Sequence, residues 1–182
     1  MLDETDDRSL ALDAAGGDRA AFAQLVNRHY GRIHALSWRF TGGPPDCEDL
    51  TQDVCMSLGR KIRSYRGDAA FTTWLYRVVL NAARDGARRR VTRERADTAY
   101  GEVDTLRRAD DKARAENAEW LRAQIAGLKA DLRETAVLVL DEGLTHAEAA
   151  EILEIAETTV SWRLMEVRKA IAARAQEEGM RV

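Results

Sequence analysis

Cysteine and proline are scarce in this 182-residue chain, two of each, and no purely apolar run is longer than residues 136–140. Each shortage excludes something. If Cys47 and Cys55 share a helix, the 1.5 Å rise per residue holds them about 12 Å apart, too far for an intramolecular disulfide. A bilayer span needs roughly 20 apolar residues, so no membrane insertion is expected. The acidic start Asp3, Glu4, Asp6, Asp7 does not suit a signal peptide, and the expected location is the cytoplasm. His29, His34 and His146 are scattered and give no metal-ligand spacing with the two cysteines, so neither a metal nor a cofactor is expected. No residue set supplies nucleophile, base and oxyanion or metal together, which argues against an enzyme.

What the chain has is charge and helical pattern. It is 45% hydrophobic and 32% charged, enough apolar material to bury a core and too much for global disorder. The net charge of −3 hides a segregation. Residues 60–95 carry eleven basic side chains against Asp68, Asp85 and Glu94, a local charge of +8, whereas residues 46–53 carry only acids. Separate faces of opposite sign suit two different partners, and nucleic acid is the natural one for the basic face. A solvated charged helix is the plain alternative.

Both prolines fall in Gly42-Gly43-Pro44-Pro45, and elsewhere apolar residues recur at helical spacing, so the expected fold is all-α. Phe22, Leu25, Val26, His29, Ile33, Leu36 and Phe40 mark one amphipathic helix, ended by that turn. A second starts at Asp46 with the stripe Leu50, Val54, Leu58 and Ile62, its acids matching the positive helix N-terminus. A break at Tyr65-Arg66-Gly67-Asp68 precedes a third through Trp74, Val78 and Asn81, with Asp68 as its expected N-cap. The expected organisation is an acidic N-terminal tail over 1–17, a first helical domain over 18–90, a flexible polar linker over 91–112 and a second small domain over 113–182.

The second domain carries the most specific pattern. Thr145 and Glu148 have capping-box spacing; Ala149, Ala150, Ile152 and Leu153 face inward, and after a short turn Val160, Leu164, Val167 and Ile171 recur at i, i+4, i+7, i+11. This is a helix-turn-helix pattern, for which an ordinary α-hairpin is the alternative. Its second helix would present Ser161, Trp162, Met165, Glu166 and Lys169 outward as candidate base readers. In the first domain Tyr65, Arg66, Phe71, Trp74 and Tyr76 thread the basic run; rings among cations suit unpaired bases, and aromatics at helical spacing equally suit a core. Asp46, Glu48, Asp49, Gln52 and Asp53 form an acidic face that fits a basic partner, or serves only the helix dipole and solubility.

Three motifs in order, Asp46-Cys47-Glu48-Asp49-Leu50-Thr51-Gln52-Asp53-Val54, then Tyr65-Arg66-Gly67-Asp68 continuing through Phe71, Trp74 and Asn81, then Thr159-Val160-Ser161-Trp162-Arg163-Leu164, resemble those of bacterial sigma factors of the extracytoplasmic-function (ECF) type in the sigma-70 family. The resemblance spans about residues 18–175. It implies a two-domain all-α subunit that binds core RNA polymerase, directs it to promoter DNA for melting and initiation in a stress or envelope response, and is sequestered by an anti-sigma factor. By position it assigns Glu48, Asp49, Gln52 and Asp53, with Asp46 beside them, to polymerase. Ser64, Tyr65, Arg66, Phe71, Trp74 and Asn81 fall to the downstream promoter element, joined by Arg84 and Arg88 of the basic run. Ser161, Trp162, Met165 and Glu166 fall to the upstream element, flanked by Thr158, Arg163 and Lys169. The chain departs from the family where Lys129 replaces a frequent proline, Glu154 a frequent turn glycine and Ala156 a capping serine, and where Ser161 and Glu166 stand at positions often basic. A free-standing helix-turn-helix regulator, with residues 18–90 as sensor or dimerisation domain, is the alternative.

Overall fold

The computed structural model describes residues 4–43, 46–94 and 112–177, and all regular structure among them is helical. Helix α1 (Glu4–Ala15) packs on α2 (Arg19–Thr41), which lies beside α3 (Asp46–Lys61) and α4 (Phe71–Glu94). Asp18 caps α2 by accepting from the amides of Ala20 and Ala21, and Gly42 closes it in the left-handed region at φ 85°. The expected stripe is the buried one: Leu25, His29, Ile33, Leu36 and Phe40 face inward against Leu50, Val54, Leu58 and Ile62. Each such aliphatic or aromatic side chain contributes about 1.5–3 kcal/mol on burial, so this core outweighs any surface charge pair at about 0–1 kcal/mol.

Two local expectations are revised. The acidic N-terminal segment is no tail over Glu4–Ala15, because Asp7, Ala11 and Ala14 are buried against the first unit. Asp7 accepts from Arg28 at 2.5 Å and faces His29 Nε2 at 2.8 Å, which fixes the helix in place. Helix α4 starts at Phe71, so Ala70 rather than Asp68 precedes its first turn. Of the segment assigned to a linker, 91–94 continue α4 and Lys112 opens α5 (Lys112–Ala126); residues 95–111 lie outside those described.

The second unit continues with α6 (Ala130–Ala136), a π-helical turn (Val137–Asp141), α7 (His146–Leu153) and α8 (Glu157–Glu177). In the wide turn the amide of Glu142 reaches back five residues to the carbonyl of Val137 at 3.0 Å. Such single π turns are rare and re-aim the side chains that follow. The Thr145–Glu148 capping box forms with both reciprocal bonds. Glu154, where the family often has glycine, sits in the left-handed region at φ 58° and ends α7. At the start of α8 the carbonyl of Ala156 accepts the amides of Thr159 and Val160. Val137, Leu138, Ile152, Leu153 and Val160 belong to the same contiguous apolar core as Phe40, Val79 and Leu80, so the helix-turn-helix unit is docked on the first.

Candidate nucleic-acid and protein interfaces

Along α3 the acids divide between two grooves. On the α4 side Asp46 and Asp53 pair with Arg90 at 2.5 Å and Arg89 at 3.3 Å across a groove of about 420 Å³ that Asp49 and Gln52 also line. On the α2 side Glu48 and Gln52 line a second groove with Tyr30, His34 and Cys55. Glu48, Asp49, Gln52 and Asp53 are exposed. Among the described residues Glu48 and Asp49 have no ion-pair partner, which leaves their charge for another molecule. Sequence reasoning missed the cations opposite and missed Tyr30, which is exposed one turn before His34; the i, i+4, i+8 spacing of Tyr30, His34 and Trp38 off the core stripe was the available signal.

The cysteines beside this face are free. Burial pushes both thiols up, against the reactive thiolate.

The loop before α4 is built on a buried aromatic cluster. Tyr65 and Phe71 are 5% and 4% exposed, and the Tyr65 hydroxyl donates to the carbonyl of Ala69 at 2.8 Å. Phe71 stacks on Trp74 with ring centroids 5.7 Å apart and contacts His29 at 5.1 Å. Both Tyr65 and Phe71 are therefore core residues here and support the loop from beneath, a correction to the expectation that they are open to a base. Trp74 is half-buried, while Ser64, Arg66, Asp68 and Asn81 are exposed. Gly67 is needed at this point: its φ is 75°, and a Cβ there would lie 3.2 Å from Arg8 Nε of α1.

Further along α4, Arg84 is half-buried and gives a two-pronged contact to Glu134, at 3.0 and 2.7 Å. The hydrogen bonds that Arg84 donates to Glu134 raise the Arg84 pKa against the opposing effect of burial. Arg88 is exposed and pairs with Asp85 at 3.6 Å. Arg77 reaches the carboxylate of Glu151 at 3.0 Å. Arg39 pairs with Asp141 and Glu142, and the Tyr76 hydroxyl donates to the other oxygen of Glu142 at 2.5 Å. Burial first, then the Glu142 hydrogen bond and charge, push the Tyr76 phenol far above its ordinary range, so it stays a donor.

On α8, Trp162 and Met165 are 53% and 55% exposed, beside exposed Thr158, Ser161 and Lys169 and half-buried Glu166. Buried Val160, Leu164 and Val167 fix this rotation. Arg163 departs from the outward set: it points back to α6, 3.8 Å from the Asp131 carboxylate and 3.5 Å from the Thr135 hydroxyl. Among the described residues no cluster could hold a metal and no helix is long and apolar enough to cross a membrane.

Comparison with known proteins covers almost the whole chain. Residues 25–93 match the model of sigma-70 region 2. The ECF RNA polymerase sigma factor SigM of Mycobacterium tuberculosis is 33% identical over 169 residues, covering 93% of this chain and 84% of SigM. The RNA polymerase sigma-H factor of Pseudomonas aeruginosa is 32% identical, covering 94% of each chain. Among solved structures, CnrH in complex with the cytosolic domain of CnrY superposes with a TM-score of 0.69 at 29% identity, over 94% of this chain and 98% of CnrH. For fold alone, RpoE of Bartonella quintana in complex with the anti-sigma factor NepR gives a TM-score of 0.70 at 22% identity, over 82% of this chain and 92% of RpoE.

Proposed function

The chain belongs to the ECF sigma factors of the sigma-70 family, and from that membership we propose which of its residues do a sigma factor's work. The protein binds core RNA polymerase and directs it to promoters. The free-standing regulator is not favoured, because the segment it would use as a sensor is the one that matches sigma-70 region 2.

For the polymerase contact the carrying observation is the exposed pair Glu48 and Asp49, charged and without a cation of their own chain among the described residues. Together with Gln52, and with Asp46 and Asp53 once these exchange their arginine partners, they offer a row of acceptors to a basic surface of polymerase. Downstream, Ser64, Arg66, Asn81 and the open edge of Trp74 contact unpaired bases and backbone, with Arg84 and Arg88 on phosphate. Tyr65 and Phe71 hold the loop's shape. Upstream, Ser161, Trp162, Met165 and Glu166 face the major groove, flanked by Thr158 and Lys169, while Arg163 braces the recognition helix. The protein itself performs no catalysis, acts in the cytoplasm, and is held in reserve by an anti-sigma factor.

Asp49→Arg tests the polymerase assignment. Pull-down with purified core polymerase should show a large loss of binding with unchanged circular dichroism. Undiminished binding returns the acids to a role in solubility and the helix dipole.

A further inference from the structure

Helix α1 precedes the segment that matches sigma-70 region 2, which begins at residue 25, yet it packs on the 3-10 turn Ile62–Ser64 and on α4, at the two ends of the Ser64–Ala70 loop. Asp7, Ala11 and Ala14 recur at i, i+4, i+7 and are buried, and the flank one position on, Arg8 and Leu12, meets the loop. Both reach Gly67: a Cβ there would lie 3.2 Å from Arg8 Nε, 3.5 Å from Arg8 Nη2 and 3.5 Å from Leu12 Cδ2. We propose that Arg8 is a further DNA contact, holding a backbone phosphate of the unpaired strand where it passes this loop. The proposal rests on the reading that the loop receives unpaired bases.

The acids beside Arg8 in sequence are already engaged. Asp6 and Asp7 both pair with Arg28, at 2.7 and 2.5 Å, and Asp7 also faces His29. Arg8 is exposed and, among the described residues, has no hydrogen bond or ion pair of its own. Its five N–H donors are therefore open to another molecule, and a guanidinium matches phosphate oxygens in charge and shape. The surroundings set where that guanidinium sits. It lies against Gly67, and it is near enough to Tyr65 that its charge works against the rise that burial imposes on the phenol. Arg66, exposed one residue before Gly67, brings a second cation to the same loop, and Leu12, 43% exposed, extends apolar surface beside it for a sugar or a base face. No hydrogen bond among the described residues fixes the direction of the Arg8 fork, as reading a base edge would require, so the contact is with phosphate and independent of sequence.

The test uses the full chain assembled with core polymerase on a promoter template whose downstream element is premelted. Arg8→Ala should bind core polymerase and unfold thermally as wild type does, because Arg8 is exposed. Its affinity for the premelted template should fall about fourfold near physiological salt, and the slope of log affinity against log salt should shrink by about 0.7, the share of one phosphate on a single strand. The loss should be alike for different downstream sequences, and Arg8→Lys should recover most of it. Unchanged affinity and slope overturn the contact. A loss with an unchanged slope also overturns it and leaves Arg8 as a brace for Gly67, and a loss confined to one sequence overturns it in favour of a base contact. Arg66→Ala in the same assay separates the two readings. If it weakens template binding while Arg8→Ala does not, only the Arg8 contact fails; if neither variant matters, the loop does not receive unpaired bases and both readings fail.

Discussion

His146, the first residue of α7, places its Nδ1 3.0 Å from the hydroxyl oxygen of Ser161 in the first turns of α8. The Ser161 hydroxyl also lies 3.3 Å from the carbonyl of Glu157, its acceptor; in that arrangement the hydroxyl accepts from the His146 tautomer protonated on Nδ1. What Ser161 has left for a base is an acceptor lone pair. Its complement in the major groove is an exocyclic amino group, on adenine or cytosine. His146→Ala should release the hydroxyl to act as donor or acceptor, and so broaden preference at one upstream base pair by about 1 kcal/mol, within the range of a single base contact. Randomised-site selection with wild type, His146→Ala and Ser161→Ala checks this. If Ser161→Ala changes the preference and His146→Ala does not, the histidine plays no part; if neither does, Ser161 does not read bases.

Phe71→Ala should cost about 3–5 kcal/mol, a large share of a total stability of about 5–15 kcal/mol, because it removes a ring held among Tyr65, Trp74 and His29. Arg66→Ala, on the exposed loop, should leave the melting temperature unchanged and reduce promoter opening. Thermal denaturation beside permanganate footprinting distinguishes the two. Equal melting temperatures for both variants would contradict the core role of Phe71.

Glu154 holds a left-handed conformation that costs a side-chain-bearing residue about 1–2 kcal/mol and costs glycine nothing comparable. Glu154→Gly should therefore stabilise by about 1 kcal/mol, somewhat less after losing its attraction for Arg84, and raise the melting temperature by about 2–4 °C. Calorimetry gives the sign directly. A lower melting temperature would mean that the charge outweighs the strain.

His29 is 1% exposed; its Nε2 bonds to Asp7, and its Nδ1 is buried without a partner. Protonation would bury an unmatched N–H at Nδ1, and burial lowers the His29 pKa despite the attraction of Asp7. Below the unfolded histidine value of about 6.5 the unfolded chain binds the extra proton more readily than the folded one, so stability falls as pH drops through that window. Denaturant midpoints at pH 7 and pH 5 should differ more for wild type than for His29→Gln. Parallel pH profiles would remove His29 as the cause.

The helical stripes were legible because burial obeys spacing: the apolar set from Leu25 to Phe40 faces the core, and Thr145 and Glu148 form their box. Trp162 and Met165 were legible as outward residues because Val160, Leu164 and Val167 leave them no inward path. Arg163 was not, because its neighbours Asp131 and Thr135 stand about thirty positions earlier and no local pattern reports them. The same holds for α1, whose anchor is Asp7 on His29, and for Arg84, whose carboxylate is fifty residues away. Phe71 shows the other limit, since an aromatic beside arginines has one spacing whether it stacks on a base or on Trp74.

The π turn at Val137–Asp141 gives this molecule a place where chain length can change while its contacts persist. Its five-residue reach, from the Glu142 amide to the Val137 carbonyl, fits one residue more than an α-helical turn would hold. Loss of a single codon within it would return the segment to ordinary winding with the Glu142 amide still meeting the Val137 carbonyl, now as a four-residue bond, so Glu142 would keep facing Arg39 and Tyr76. Thr145, Glu148 and the recognition helix, all further along the chain, would keep their own spacing. A one-residue deletion here is thus tolerated by both the docking of the two units and the reading of DNA, a tolerance that substitution scans do not sample.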